Sequence, residues 1–141
     1  MKRIFALLLM LISSFAHTEE LAMAHISTTQ TVIERVQVVW MYTLKVRYWI
    51  DGTKIILFNL PPNSFVRKQF IRNVLKLSPI SYQQSLDKLN NDGTTSPTFE
   101  VSNESEMLQR IVKYNGAIGY LSDKSLITSH DGVVHELLII D

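Results

Sequence analysis

The segment 59–70, NLPPNSFVRKQF, constrains the fold of this chain most strongly. Pro61 and Pro62 fix the backbone φ angle and cannot donate ladder hydrogen bonds, so a preceding strand must end before them. Ser64 is a favoured N-cap residue, because its hydroxyl can accept a hydrogen bond from a free N–H group in the first helical turn. The segment therefore predicts a strand, a stiff turn and a helix in immediate succession.

The start of this predicted helix is also a candidate site for a small anion. Helix N-termini carry unpaired N–H donors and a partial positive charge, and both favour anions. We expect such a ligand to lie over the first turn, against Asn63, Ser64 and Phe65, with the guanidinium of Arg67 completing the site. The alternative is an ordinary capped helix whose arginine faces water, and the local sequence leaves both readings open.

The distribution of charge around this segment favours an anion nearby. Seven basic residues and one acidic residue lie between positions 45 and 76, whereas four basic and nine acidic residues follow from position 77 onward. A solvated helix face is the simpler explanation for Lys68, Arg72 and Lys76, because they recur at intervals of four. Arg67 is off that stripe, and we therefore single it out.

The first sixteen residues have the pattern of a secretory signal peptide. Lys2 and Arg3 precede an apolar run at 4–12, and Ser14 and Ala16 are small residues at the positions that signal peptidase reads. The run is too short to span a bilayer. We therefore expect export to the periplasm and one mature domain at 17–141. Without the two basic residues of the leader, 12 basic residues would face 13 acidic ones, so net charge gives no indication of nucleic-acid binding.

The rest of the chain predicts alternating strands and helices, which indicates the α/β class. Strands are expected at 21–26, 54–58, 117–121 and 133–140, the last preceded by a turn at Asp131 and Gly132. Helices are expected from Ser64 to about Leu77, after a cap at Ser78, and after a cap at Ser102. The segment 32–44 suits either a helix or a strand by its pattern alone.

Signals for catalysis or metal binding are weak. The chain has no cysteine, which excludes thiol catalysis and cysteine metal sites. His130, Asp131 and His135 are close in sequence, but ordinary hairpin polar residues explain them better than a metal site does. We therefore predict no enzyme activity, no cofactor and no metal. Gly116, after Asn115, is expected to adopt a left-handed conformation where the third helix ends.

Four motifs resemble the phosphate-binding proteins of ABC importers, and above all their short exported members. The motifs are, in order, WIDGTKI at 49–55, FVRKQF at 65–70, LSP at 77–79 and NGAIGY at 115–120. The resemblance implies a type II periplasmic-binding-protein-like fold, here a single compact domain with a mixed sheet flanked by helices. It also implies that 32–44 is helical and that 45–52 is a loop.

The chain departs from that family at its anion loop. The family's loop ends in Ser-Gly-Thr with an arginine a few residues earlier, whereas this chain has Asn63, Ser64 and Phe65, with Asn59 at the upstream position. Ile50 replaces the usual proline of the Trp-Pro-Asp-Gly turn. The chain is also too short for two complete lobes.

The resemblance implies a periplasmic solute-binding module for phosphate or a similar oxyanion. Such a module would serve an ABC importer or a membrane sensor as its partner. The departures favour an alternative, a ligand-free interaction or accessory protein of the cell envelope that keeps the binding-protein fold. Neither reading involves nucleic acid.

Overall fold

A computed structural model describes residues 21–25, 30–93, 98–122 and 133–141. The strands in these residues are β1 Leu21–His25, β2 Val32–Glu34, β3 Ile56–Asn59, β4 Thr98–Glu100, β5 Ala117–Leu121, β6 Val134–Glu136 and β7 Leu138–Ile140. The helices are α1 Arg35–Tyr42, α2 Phe65–Asn73, α3 Pro79–Asn91 and α4 Glu104–Lys113. The predicted α/β class is confirmed.

The main sheet has five strands in the order β4-β3-β5-β1-β6. Strand β3 is parallel to both β4 and β5, and β1 is antiparallel to both β5 and β6. The sheet is therefore mixed, as the family resemblance implies. Since parallel strands end at the same edge of a sheet, the carboxyl ends of β3, β4 and β5 lie together, and Asn59 is at that edge.

Helices cover both faces of this sheet. Tyr120 of β5 stacks on Phe70 of α2 with ring centroids 4.0 Å apart, and Tyr42 of α1 packs against both rings. The neighbouring residue Gly119 faces the opposite side, where a Cβ atom would meet Met107 of α4. Successive residues of a strand point to opposite faces, so α1 and α2 cover one face and α4 covers the other.

Two helix starts form as the sequence predicts. The Ser64 hydroxyl accepts a hydrogen bond from the N–H of Arg67 at 3.2 Å, and the Ser78 hydroxyl accepts one from the N–H of Ser81 at 3.2 Å. Pro79 occupies the first position of α3, where its missing N–H group costs nothing. Local capping chemistry therefore fixes where α2 and α3 begin.

Helix α2 ends at Asn73, earlier than the predicted end near Leu77. Lys76 has a left-handed φ of 56°, which turns the chain away from the helix axis. The guanidinium of Arg35 donates from Nη1 to the backbone oxygens of Asn73 and Val74 at 3.1 and 2.6 Å. A basic side chain from α1 thus satisfies carbonyl groups that a continuing helix would otherwise use.

The ambiguous segment 32–44 contains both a strand and a helix. Residues 32–34 form β2, which pairs in parallel with β7, and the helix that the resemblance implies begins only at Arg35. A capping box between Glu34 and Gln37 fixes this boundary. The loop implied for 45–52 is confirmed in outline, since only Tyr48 makes a β-bridge there, to Lys54.

Two other boundaries differ from the prediction. Helix α4 is capped by Asn103, whose Oδ1 accepts from the N–H of Glu106 at 2.9 Å. The predicted cap at Ser102 is wrong, because the Ser102 hydroxyl donates to the Glu106 carboxylate at 2.5 Å instead. Strand β3 begins at Ile56 rather than at 54, because the N–H of Ile55 donates to the carbonyl of Arg47 in the preceding loop.

The predicted strand 133–140 is divided between two sheets. Strand β6 pairs with β1 of the main sheet, whereas β7 pairs with β2 in a separate two-stranded sheet, and the buried Leu137 lies between them. The sequence pattern does not predict the short edge strand β4. The proposed signal peptide and the predicted turn at Asp131 and Gly132 lie outside the described residues.

Gly116 has the left-handed conformation that the sequence predicts, with φ of 77°. It follows the C-cap residue Tyr114 by two positions, within a turn closed by a hydrogen bond from the N–H of Ala117 to the carbonyl of Tyr114. A Cβ atom at Gly116 would lie 2.2 Å from the backbone oxygen of Lys54. This position therefore needs glycine for two reasons, its φ angle and the close approach of a neighbouring chain segment.

We expect Gly116→Ala to destabilise the fold more than Gly93→Ala. Both glycines have a left-handed φ, which costs an alanine about 1–2 kcal/mol. Only Gly116 adds a backbone clash, worth a further ~1–3 kcal/mol, because nothing lies within 4 Å of a Cβ atom at Gly93. Urea unfolding of the two variants measures the difference. Equal losses in the free energy of unfolding would mean that the backbone around Lys54 shifts to make room for the Cβ atom at no energetic cost.

Candidate anion site

A buried hydrogen-bond network begins where β3 ends. Asn59 is 3% exposed. Its Oδ1 accepts from the Tyr120 hydroxyl at 2.5 Å, and its Nδ2 donates to the Tyr82 hydroxyl at 2.9 Å. The backbone N–H of Leu60 donates to the Tyr120 hydroxyl at 3.0 Å. Side chains from β5 and α3 thereby fix the last residues of β3, from which the chain enters the Pro61–Pro62 turn.

Arg67 is the buried basic residue of this region. Its exposed fraction is 3%, although it lies in the first turn of α2. The guanidinium donates to the carbonyl of Leu60 at 2.7 Å and to the Gln83 side-chain oxygen at 2.6 Å, and its carbon lies 5.5 Å from the ring centroid of Tyr82. Arg67 therefore does not face water, and it joins the β3–α2 turn to α3.

The positive charge of Arg67 has no carboxylate partner in the described part of the chain. The ion pairs found there join Arg35 to Asp141 and Arg110 to Glu106. The nearby tyrosines do not supply negative charge either, because burial raises the pKa of Tyr82 to about 12 against the opposing influence of Arg67. Buried charges are ordinarily paired, so a buried guanidinium without an ion pair here requires an explanation.

A cavity of about 140 Å³ lies beside this guanidinium, at the carboxyl ends of β3 and β4. Most of the side chains that line it are polar. The polar lining residues are Asn59, Arg67, Gln83, Asn90, Thr98 and Glu100. At roughly 30 Å³ for each water molecule, the cavity holds on the order of five waters. A crevice at the carboxyl ends of parallel strands is the usual place for a ligand in open α/β sheets.

The structure divides the four residues that the sequence predicted as one site. Arg67 lines the cavity, whereas Asn63, Ser64 and Phe65 do not. Asn63 is exposed, and Phe65 is 71% exposed. Ser64 is half-buried, and its hydroxyl already caps the helix. Two features could thus hold an anion, the open helix start and the cavity, and Arg67 belongs to the second.

Sequence reasoning missed the residues that α3 and β4 contribute to the cavity. Gln83 and Asn90 lie on α3, and Thr98 and Glu100 bound the short strand β4. The strand has only three residues and a half-exposed pattern, so no periodicity revealed it. One feature of the sequence could have indicated this site. Two segments that form parallel strands each end in a polar residue, Asn59 and Glu100.

A second cavity, of about 280 Å³, lies beside α4 and has a different character. Aromatic rings of Phe58, Phe99 and Tyr114 contribute to its walls. Its basic residue, Arg110, is paired with Glu106 at 3.3 Å. This cavity therefore lacks an unneutralised cation, and it suits an anion less well than the cavity at Arg67.

The described residues give no structural indication of metal binding or of a membrane span. No group of three or more histidine or acidic residues is arranged there to hold a metal ion. His135 is among these residues, but His130 and Asp131 are not. No helix in the described ranges is long and apolar enough to cross a bilayer.

Several solved structures share the fold of this chain. An ABC-type phosphate transport receptor from Vibrio cholerae has a TM-score of 0.62 at 16% identity, over 86% of this chain and 46% of that one. A "possible phosphate binding protein" from Planctomyces limnophilus has a TM-score of 0.61 at 16% identity, over 87% and 42%. PstS from Borrelia burgdorferi has a TM-score of 0.56 at 15% identity, over 86% and 47%.

These similarities confirm the type II periplasmic-binding-protein-like fold. The chain spans less than half of the length of each of these three structures. No protein-family model matches the chain, and no curated protein does either.

We expect Arg67→Ala to lower the free energy of unfolding by about 2–4 kcal/mol. The substitution leaves the Leu60 carbonyl and the Gln83 side chain without their charged donor in a buried site. Ser64→Ala should cost about 1 kcal/mol through loss of the N-cap. Arg72→Ala, on the exposed side of the same helix, is the matched control and should cost at most about 1 kcal/mol. Denaturant unfolding of the three variants checks the order, and an Arg67 loss no larger than the Arg72 loss would contradict it.

Proposed function

We propose that the protein is a periplasmic solute-binding module for phosphate or a similar oxyanion, serving an ABC importer or a membrane sensor. The observation that carries this proposal is the guanidinium of Arg67, which is buried beside a polar cavity and has no carboxylate partner among the described residues. An oxyanion in the cavity would supply the missing negative charge. The shared fold with phosphate transport receptors supports the same class of ligand.

The donors around the cavity suit an oxyanion. A guanidinium has five N–H donors, and the bonds to Leu60 and Gln83 use two of them. Asn59 uses one of its two amide N–H donors on Tyr82. Any further N–H group that reaches the cavity would form charge-assisted bonds to an oxyanion, which are stronger than neutral ones. Arg67 also lies in the first turn of α2, where the helix dipole adds a partial positive charge.

The size of the cavity restricts the ligand. Drug-sized ligands occupy pockets of roughly 300–1,000 Å³, and this cavity has about 140 Å³. A ligand with about five non-hydrogen atoms fits this space, at about one atom for each water displaced. Phosphate, sulfate and small carboxylates match this volume, whereas nucleotides and sugar phosphates would extend out of the cavity.

The alternative is a ligand-free interaction or accessory protein of the cell envelope that keeps the binding-protein fold. Its specific support is that Arg67 already makes two short hydrogen bonds within the protein. An arginine that joins the β3–α2 turn to α3 can be kept for stability alone. The exposed position of Phe65 at the helix start also gives the predicted anion loop an apolar surface.

Titration calorimetry with phosphate, sulfate and acetate distinguishes the two functions. We expect at least one of these anions to bind the wild-type protein at millimolar concentration or below. Asn90→Trp should weaken binding at least tenfold, because Asn90 is an exposed residue of α3 that lines the cavity. Asn91→Trp, at the next exposed position and outside the lining, should leave affinity unchanged. Absence of binding to the wild type would favour the accessory protein.

The contribution of individual donors follows from the same titration. Arg67→Lys keeps the charge but loses the planar fork of the guanidinium. We expect it to reduce anion affinity by about 10–100-fold, as hydrogen bonds to charged groups are worth about 1.5–3 kcal/mol. Ser64→Ala should reduce affinity by about fivefold if the ligand also contacts the helix start. A larger loss in Ser64→Ala than in Arg67→Lys would place the anion over the helix start rather than in the cavity.

Export to the periplasm is a separate prediction. The pattern at 1–16 predicts cleavage after Ala16. Intact-mass measurement of protein recovered from the periplasm should therefore give a chain that starts at His17. A full-length chain retained in the cytoplasm would contradict both the localisation and the proposed importer partner.

A further inference from the structure

The cavity beside Arg67 also contains a carboxylate. Glu100, at the end of β4, lines the cavity together with Arg67, and it also borders the cavity beside α4. Strands β3 and β4 are parallel, and Glu100 is the register partner of Asn59. Register partners in a sheet point to the same face, so Glu100 lies on the face where Asn59 meets the tyrosine network.

The two opposite charges are separate from each other. No ion pair within 4.0 Å joins Arg67 to Glu100. Both charges nevertheless act on the Tyr120 hydroxyl. Burial is the main cause of its raised pKa, while the positive charge of Arg67 lowers the pKa and the negative charge of Glu100 raises it. The cavity is therefore bipolar, with a buried cation in its wall and an exposed carboxylate at a second position.

A bipolar cavity discriminates among oxyanions by the other charged groups that they carry. A simple anion gains attraction from Arg67 but also meets repulsion from Glu100. A molecule with an ammonium group near its oxyanion gains attraction at both positions. Charges a few ångströms apart interact strongly in a partly desolvated site, so this difference should be measurable in affinity.

We propose that the preferred ligand of this cavity is a small zwitterion, with its oxyanion group on Arg67 and its ammonium group on Glu100. This inference rests on the proposed function, since it takes the cavity to be the oxyanion site. A spacer of about one carbon atom between the two groups suits a cavity of about 140 Å³. Small amino acids and aminophosphonates both have this chemistry.

Two pairs of ligands that differ only by an amine test the proposal. Methylphosphonate is compared with aminomethylphosphonate, and acetate is compared with glycine, by calorimetry at pH 7. We expect the amine-bearing member of at least one pair to bind about tenfold tighter to the wild-type protein. The pair with the larger preference identifies the oxyanion as a phosphonate or a carboxylate.

Glu100→Gln removes the carboxylate at an exposed position without changing the shape of the side chain. We expect this variant to lose the preference for the amine and to bind methylphosphonate and phosphate more tightly than the wild type does. Asp92→Asn is the matched control, because Asp92 is an exposed acid at the end of α3 outside the cavity lining. It should keep the preference.

The possible failures of the two proposals give different results. Equal or weaker binding of the amine-bearing ligands to the wild type, with phosphate or methylphosphonate still bound, would overturn the zwitterion and leave the proposed function in place. A preference for the amine that survives in Glu100→Gln would also overturn it. Absence of binding by every ligand would overturn the proposed function itself, and the zwitterion with it.

Discussion

The guanidinium of Arg67 holds the β3–α2 turn in place, and the geometry of the candidate site depends on that turn. Its hydrogen bonds reach the Leu60 carbonyl just before the prolines and Gln83 on α3. A proline-rich turn leaves carbonyl groups that no ladder or helix satisfies. A buried cationic donor satisfies one of them and sets the position of α3 relative to the end of β3.

An aromatic and amide network continues this support into the core. Asn59 receives a hydrogen bond from Tyr120 and donates one to Tyr82, and Tyr120 stacks on Phe70 of α2. Burial keeps these tyrosines protonated, so they act as neutral hydrogen-bonding groups rather than as counter-ions for Arg67. The same network that stabilises the sheet edge thus leaves a positive charge beside the cavity. In the proposed function this charge is the feature that an oxyanion neutralises.

The local sequence was sufficient for features that depend on nearby residues. Ser64 and Ser78 cap helices because a hydroxyl needs only the N–H group three positions later. Gly116 is left-handed because the chain must turn after α4, and the strand at Ala117–Leu121 follows from a continuous apolar run. The α/β class came from the alternation of such elements, and family-like motifs indicated the type II fold that the solved structures share.

Tertiary structure decided the features that depend on distant residues. The sequence could identify Arg67 but not its direction, because its partners Gln83 and Tyr82 lie on another helix. Strand β4 has no periodicity of its own and exists through pairing with β3, which brings Glu100 beside Asn59. Strands β6 and β7 are separated at Leu137, because β6 pairs with β1 of the main sheet and β7 pairs with β2 of the two-stranded sheet. Capping and turn preferences act over a few residues, whereas the charges that face one cavity are brought together only by packing.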